Sequence, residues 1–276
     1  MKTINCNQNL IDLSTPKVMG ILNLTPDSFY DGGKLTSEKN ILSQAEKMFT
    51  EGATFLDLGG YSSRPGADFV SEEVELQRVL PIVKLLLKEF PEAILSIDTF
   101  RSNIAKQCIE AGAAMINDIS AGSLDDNMFE TIANLQVPYI IMHLRGTPET
   151  MMQNTNYKEL TKEVLFYFSE RIAKARSFGI NDIIADPGFG FSKTTEKNFE
   201  LLNELELFSI LEIPLLIGVS RKSMIHQTLN ISAKEALNGT TALHAIALQK
   251  GASLLRVHDV KEAMETINLL QNLKSH

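Results

Sequence analysis

The chain has 276 residues, 44% of them apolar and 22% charged, and a net charge of −8. That length can bury a large core without disulfides or a structural metal, and one α/β barrel alone typically takes about 250 residues. The acidic balance argues against a phosphate-backbone partner, so no nucleic-acid role is expected, although a few local Arg and Lys residues can still hold an anionic small molecule. In chain order, Met1–Ser14 is mixed and polar, without the basic flank and apolar run of a signal peptide. Short apolar runs then follow at Lys17–Leu22, Thr54–Leu58, Ile94–Ile97, Ala114–Asn117, Pro138–Met142, Asp182–Ala185, Pro214–Ile217 and Leu254–Val257. Each is continuous and bounded by polar or Gly/Pro residues, as strands buried on both faces are.

Longer amphipathic runs separate them. Ser37–Gly52 opens on a Ser cap and closes on Gly; Ser71 opens a run with Glu72 and Glu73 in its first turn; Tyr157–Gly179 and Val260–Leu273 read as helices too. Eight strands alternating with helices predict the α/β class and a single (β/α)8 TIM barrel, forming one domain over residues 1–276. An open doubly wound sheet is the structural alternative. No window approaches about 18 consecutive apolar residues, so no membrane span is expected. Cys6 and Cys108 form no framework, which points to a reducing cytoplasm.

Barrels of this kind carry their sites on the loops after the strands. The first strand hands over Asn23; the second is followed by Ser63 and Arg64; the third ends in Asp98, the fourth in Asn117 and Asp118, the fifth in His143. The sixth ends in Asp186 before PGFGFSK, the seventh runs into Gly218, Ser220, Arg221 and Lys222, and the eighth delivers Arg256 and His258. A shared site is the economical reading. The plainer reading is that polar residues mark loop starts and that Asp98 and Asp186 cap helices.

The segments MGILNLTPDSFYDGG, DLGGYSSRPGA, SIDTF, NDI, MHLRGTP, DPGFGF, GVSRKSMI and RVHDV resemble, in order and over nearly the whole chain, the signature segments of the dihydropteroate synthases, a pterin-binding TIM-barrel family. Tyr61 and Ser63 stand where many members have Glu and Thr. The resemblance implies a transferase of folate biosynthesis. It would join 6-hydroxymethyl-7,8-dihydropterin diphosphate to p-aminobenzoate and expel pyrophosphate, with Mg²⁺ as cofactor, in a homodimer paired through outer helices near the C-terminus, and as a sulfonamide target.

On this reading Asp186, Asp98, Asn117 and Lys222 bind the pterin. Asn23, Ser63, Arg64, Arg256 and His258 hold the diphosphate, with Asn23 on the metal. Arg64 and Arg256 are expected from strands two and eight, taken as neighbours in a closed barrel, and Arg suits bidentate phosphate recognition. Phe29, Ser63, Pro65, Phe189 and Ser223 are expected at the p-aminobenzoate, its carboxylate resting at the helix start near Arg221 and Ser223. No residue reads as a nucleophile, and His143 is expected to orient loops. Arg64, Lys222, Arg256 and His258 would therefore carry an electrostatic, SN1-like displacement, under closure of the first two Gly-rich loops. The alternatives are a pterin-dependent corrinoid methyltransferase, which would need no diphosphate cradle, and a non-catalytic pterin-binding protein.

Overall fold

Eight parallel strands lie side by side in one sheet, in the order β8-β7-β6-β5-β4-β3-β10-β9. They are β3 (Lys17–Asn23), β4 (Phe55–Gly59), β5 (Ile94–Asp98), β6 (Met115–Asp118), β7 (Tyr139–Met142), β8 (Ile183–Asp186), β9 (Leu216–Ile217) and β10 (Leu254–Val257). A parallel bridge between Ala185 and Leu215, with Ala185 N–H donating to Pro214 O at 3.0 Å, joins the two ends and closes the barrel. This computed structural model describes residues 3–24, 34–61 and 70–274, and for residues 34–37 and 274 the backbone alone. The expected (β/α)8 barrel is therefore what forms, and all eight expected strands lie within two residues of their expected bounds.

The outer face of the barrel packs under the helices α1 (Lys34–Thr50), α2 (Glu72–Glu89), α3 (Ser102–Glu110), α4 (Met128–Leu135), α5 (Leu160–Ser177), α6 (Thr195–Asn203), α7 (Ser223–Leu229), α8 (Leu237–Gln249) and α9 (Val260–Lys274). Leu22, Leu56, Leu58, Ile97, Ile141 and Val257 point into that main core. Each fully buried aliphatic side chain of this kind is worth about 1.5–3 kcal/mol of burial. Ser71 caps α2 as expected, its hydroxyl accepting from Val74 N–H at 3.3 Å. α1 begins at Lys34, three residues ahead of the start expected at Ser37.

A β-hairpin, β1 (Thr3–Cys6) with β2 (Asn9–Asp12), was not expected from the polar N-terminal segment. Its two-residue turn places Asn7 at φ 50° and Gln8 at φ 68°, the left-handed pair that a tight hairpin needs. Ile4, Cys6 and Leu13 pack against Met19, Phe55, Met115, Ile140, Ile184, Leu216 and Leu254, which form the lower interior of the barrel. Asn5 N–H donates to Asp182 at 2.8 Å and fastens the hairpin there. With its floor plugged, the barrel interior opens at the C-terminal ends of the strands. Among the described residues no helix is long and apolar enough to cross a membrane.

Candidate active site

Side chains alternate along a strand, so the residue two positions after a floor residue also points inward, one layer higher. Two beyond Phe55, Met115, Ile184 and Leu254 come Asp57, Asn117, Asp186 and Arg256. The period of two thus turns an apolar plug into a charged layer within one step of each strand. Asp98 sits at the end of β5, in register with Asn117.

These groups meet. Arg256 Nε donates to Asp57 Oδ2 at 2.6 Å and its Nη2 to Asp98 Oδ2 at 2.8 Å, while Asn117 Nδ2 donates to Asp57 Oδ2 at 3.0 Å. Asp57 is buried, and its Oδ1 has no hydrogen-bond partner among the described residues. A buried acceptor left unmet costs about 1–3 kcal/mol, so this oxygen suits a ligand N–H or a bridging water. Asp98 does not cap a helix; its carboxylate serves Arg256. Asp186 combines both readings: Oδ1 accepts from Gly188 N–H at 2.8 Å and so shapes the loop, while the carboxylate also lies in the charged layer.

Burial dominates the proton affinities. It pushes Asp98 up to about 7, against the pull of Arg256 and with help from Asp57, Glu75 and Asp118. It raises Asp186 too, opposed by Lys222, the Gly188 N–H, Arg256 and Lys193. Burial brings Lys222 down to about 8, with Asp186 and Asp98 holding it up and Arg256 pressing it down. Burial also works against the charge on Arg256, but Asp57, Asp98 and Asp186 outweigh it and keep that guanidinium firmly protonated. The mouth therefore holds a carboxylate-rich layer with two cations, the donor and acceptor mix that a polar heterocycle needs.

The 186–193 loop completes the wall. Lys222 Nζ donates to Phe189 O and lies 4.5 Å from the Phe191 ring centroid. Gly188 has φ +72°, and a Cβ there would stand 2.2 Å from His143 O. Gly188→Ala is expected to destabilise by about 3 kcal/mol or more, from the left-handed backbone and the clash together, a loss that thermal melting would read. A melting temperature within a degree or two of the parent would show that the loop repacks freely.

Several expected site residues are placed differently. Phe189 is fully buried in the main core, so its ring cannot frame p-aminobenzoate; only its carbonyl reaches the site. Strands two and eight are not neighbours. They flank β3, which puts Asn23 between them. The guanidinium of Arg256, expected on the diphosphate, faces Asp57 and Asp98 and organises the carboxylate layer. Ser223 opens α7 behind Lys222, whereas Arg221 turns away, its Nε and Nη2 bonding Asp259 at 2.7 and 2.8 Å. His258 Nδ1 lies 3.0 Å from Ser220 Oγ, which fixes that ring beside the seventh strand. Phe29, Ser63, Arg64 and Pro65 lie outside the described residues. Tyr61 is described: it is buried edge-on against Phe100, 5.3 Å between centroids, with the Arg101 guanidinium 5.6 Å from its ring, and so anchors the start of the second loop.

Two buried residues escaped the sequence reading. Asp57 stands mid-strand, where a charge inside an apolar run is itself the signal. Lys193 ends the PGFGFSK segment and is 2% exposed. Asn23, half-buried at the end of β3, offers one hard amide oxygen. That suits a Mg²⁺ ion that brings most of its ligands as water and phosphate, and among the described residues no group of three or more His, Cys, Asp or Glu offers a fuller cage.

The model of the pterin-binding enzymes matches residues 19–258. The dihydropteroate synthase of Escherichia coli K12 is 43% identical over 263 residues, 95% of this chain and 93% of that protein. The crystal structure of the Yersinia pestis dihydropteroate synthase with a sulfonamide drug superposes with a TM-score of 0.93 at 39% identity, covering 99% of this chain and 100% of that one. The Xanthomonas albilineans dihydropteroate synthase in complex with 7,8-dihydropteroate superposes at 0.89 with 34% identity, covering 99% of both chains. The chain therefore belongs to the pterin-binding enzyme family and, within it, to the dihydropteroate synthases.

Proposed function

We propose that this chain, as one domain, condenses 6-hydroxymethyl-7,8-dihydropterin diphosphate with p-aminobenzoate to give 7,8-dihydropteroate and pyrophosphate. The observation that carries this is the inward layer of Asp57, Asp98, Asn117 and Asp186 beside Lys222 at the barrel mouth. A pterin presents a 2-amino group and ring N–H donors next to ring acceptors. Carboxylates meet the donors, Lys222 meets the acceptors, and an analogue lacking one partner leaves a buried group unpaired.

The amine of p-aminobenzoate is itself the nucleophile, so the protein needs to position it and to stabilise charge. The carbon–oxygen bond to the diphosphate breaks, its electron pair leaves with pyrophosphate, and the amine attacks the pterin methylene and then gives up a proton. The anionic layer beneath the pterin stabilises the electron-poor methylene. Arg64, Ser63 and His258 receive the departing phosphates, with Arg256 contributing from its place between Asp57 and Asp98. Phe29, Pro65 and Ser223 flank the p-aminobenzoate. Asn23 would hold Mg²⁺, which when bound supplies neutralising charge to the diphosphate.

A homodimer and a cytoplasmic setting belong to the same reading. Leu269 and Leu273 are 70% and 71% exposed on α9, an apolar edge that a second copy would cover, and Cys6 and Cys108 are both free thiols. The test of function is pyrophosphate release from the pterin diphosphate, dependent on p-aminobenzoate and on Mg²⁺. Release coupled one-to-one to dihydropteroate is expected. A protein that binds pterin but releases no pyrophosphate would be a binding protein or a methyl carrier instead.

A further inference from the structure

We propose that Lys193, through His143 and the loop it clamps, is the positioning residue that sets the Asp186 carboxylate for pterin binding. The inference rests on the pterin reading of the site and adds to it a buried residue that would not itself touch the ligand.

Lys193 Nζ makes three contacts: His143 Nδ1 at 3.0 Å, Gly188 O at 3.0 Å and Phe191 O at 3.1 Å. An ammonium has three N–H bonds, and all three are thereby used. Both carbonyls belong to the loop that begins at Asp186. Drawn inward to Lys193, they leave the intervening Phe189 carbonyl turned to Lys222, and the Gly188 N–H turned to Asp186 Oδ1 at 2.8 Å. The two loop atoms that orient the site's acid and base therefore lie on the segment pinned by Lys193.

His143 ties the same segment a second time. Its backbone N–H donates to Asp186 O at 3.0 Å, and its ring stacks edge-on to Tyr167 at 4.9 Å between centroids. Burial, with Lys193 and Arg145 nearby, holds the imidazole well below its ordinary proton affinity. It is therefore neutral, and with Nδ1 accepting from Lys193 its proton sits on Nε2. A buried ammonium without partners would be costly. Here three acceptors and the Asp186 charge sustain it, although burial first, then Lys222 and Arg145, bring it down to about 7.

The electrostatic consequence falls on Asp186. Its charged neighbours are Lys222, Arg256 and Lys193, and each favours the carboxylate over the acid. Removing Lys193 raises the Asp186 proton affinity further. A pterin that needs the carboxylate should then lose its hold at a higher pH than in the parent protein.

The experiment is calorimetric titration of a pterin lacking the diphosphate into the parent, Lys193→Met and Lys193→Gln proteins between about pH 5 and 8, with the KM for p-aminobenzoate measured alongside. Lys193→Met should bind pterin about 10-fold or more weaker near neutrality, with its acid limb moved to higher pH and the p-aminobenzoate KM changed less than about 3-fold. Lys193→Gln, which keeps a donor but no charge, should fall between. Unchanged pterin affinity with an unmoved acid limb overturns the proposal, and so does an equal loss for both substrates. Should Lys193→Met fail to fold, the parent decides through the ¹⁵N signals of its His143 ring. An Nε2–H tautomer whose Nδ1 signal moves on pterin addition supports the proposal; an Nδ1–H tautomer, or a ring indifferent to pterin, overturns it. A parent protein that binds no pterin at all would strike the pterin reading itself, and that outcome is seen before any variant is made.

Discussion

Replacing Arg256 with methionine is expected to cost about 3–5 kcal/mol of stability near neutral pH and to lower turnover at least about 100-fold. The reason lies in what the guanidinium holds. It bonds Asp57 at 2.6 Å and Asp98 at 2.8 Å across the barrel, from β10 to β4 and β5. Methionine matches the stem but leaves both carboxylates without their counter-charge in a site sealed from below by the hairpin. Among the described residues Asp57 keeps only the Asn117 amide. Asp98, already pushed up to about 7, must rise further.

The pH dependence gives the sign. A carboxyl whose proton affinity is higher folded than unfolded favours the folded state at low pH. That advantage is fully present below the unfolded value of about 4 and is lost as pH rises through the folded value. In the variant the folded value is higher still, so the loss continues to higher pH. The stability gap between parent and variant should therefore be flat below about pH 6 and widen as pH rises through about 7, as denaturant melts at several pH values would reveal. A gap that stays constant, or below about 1 kcal/mol, would mean that the two carboxylates relax into water and that the triad is not a closed unit.

How much of this was legible in the sequence depends on where a residue's partner stands. Strands such as Ile94–Asp98 and Leu254–Val257 were legible because both faces are buried, and burial on both faces writes a continuous apolar run. The hairpin was not, because Asn9–Asp12 is largely exposed and only every second residue of Thr3–Cys6 is buried. Asp98, Asn117, Asp186 and Lys222 were legible as a set, since strand ends converge in any barrel. What they do to one another was not. The ion pairs of Arg256 left no local signal, because Asp57 and Asp98 are 199 and 158 residues away in the chain. Phe189 looked like a loop aromatic, although the left-handed Gly188 and Gly190 on either side turn its ring into the core. Closure, too, was read as an eight-fold count without its order, so β4 and β10 were taken as adjacent when β3 lies between them.

Asp186→Asn is expected to weaken pterin binding about 10- to 150-fold, equivalent to about 1.5–3 kcal/mol, while leaving the fold intact. The substitution separates the two tasks of this side chain. The Oδ1 that accepts from Gly188 N–H at 2.8 Å can be kept by the amide oxygen, so the loop turn survives. The other oxygen becomes an NH₂ group, which sets a donor against the donor edge of the pterin. Asp186→Ala would instead strand the Gly188 N–H and lose stability as well, so the pair of variants distinguishes recognition from loop building. A second effect follows through Lys222, which burial has brought down to about 8 and which Asp186 helps to hold up. Without that carboxylate Lys222 loses its proton at lower pH, so the affinity deficit of Asp186→Asn should grow as pH rises towards about 8. Calorimetric titration with the pterin substrate at two pH values reads both effects. Parent-like affinity would remove Asp186 from pterin recognition. A deficit that is large but flat with pH would leave Asp186 in place and take Lys222 out of its reach.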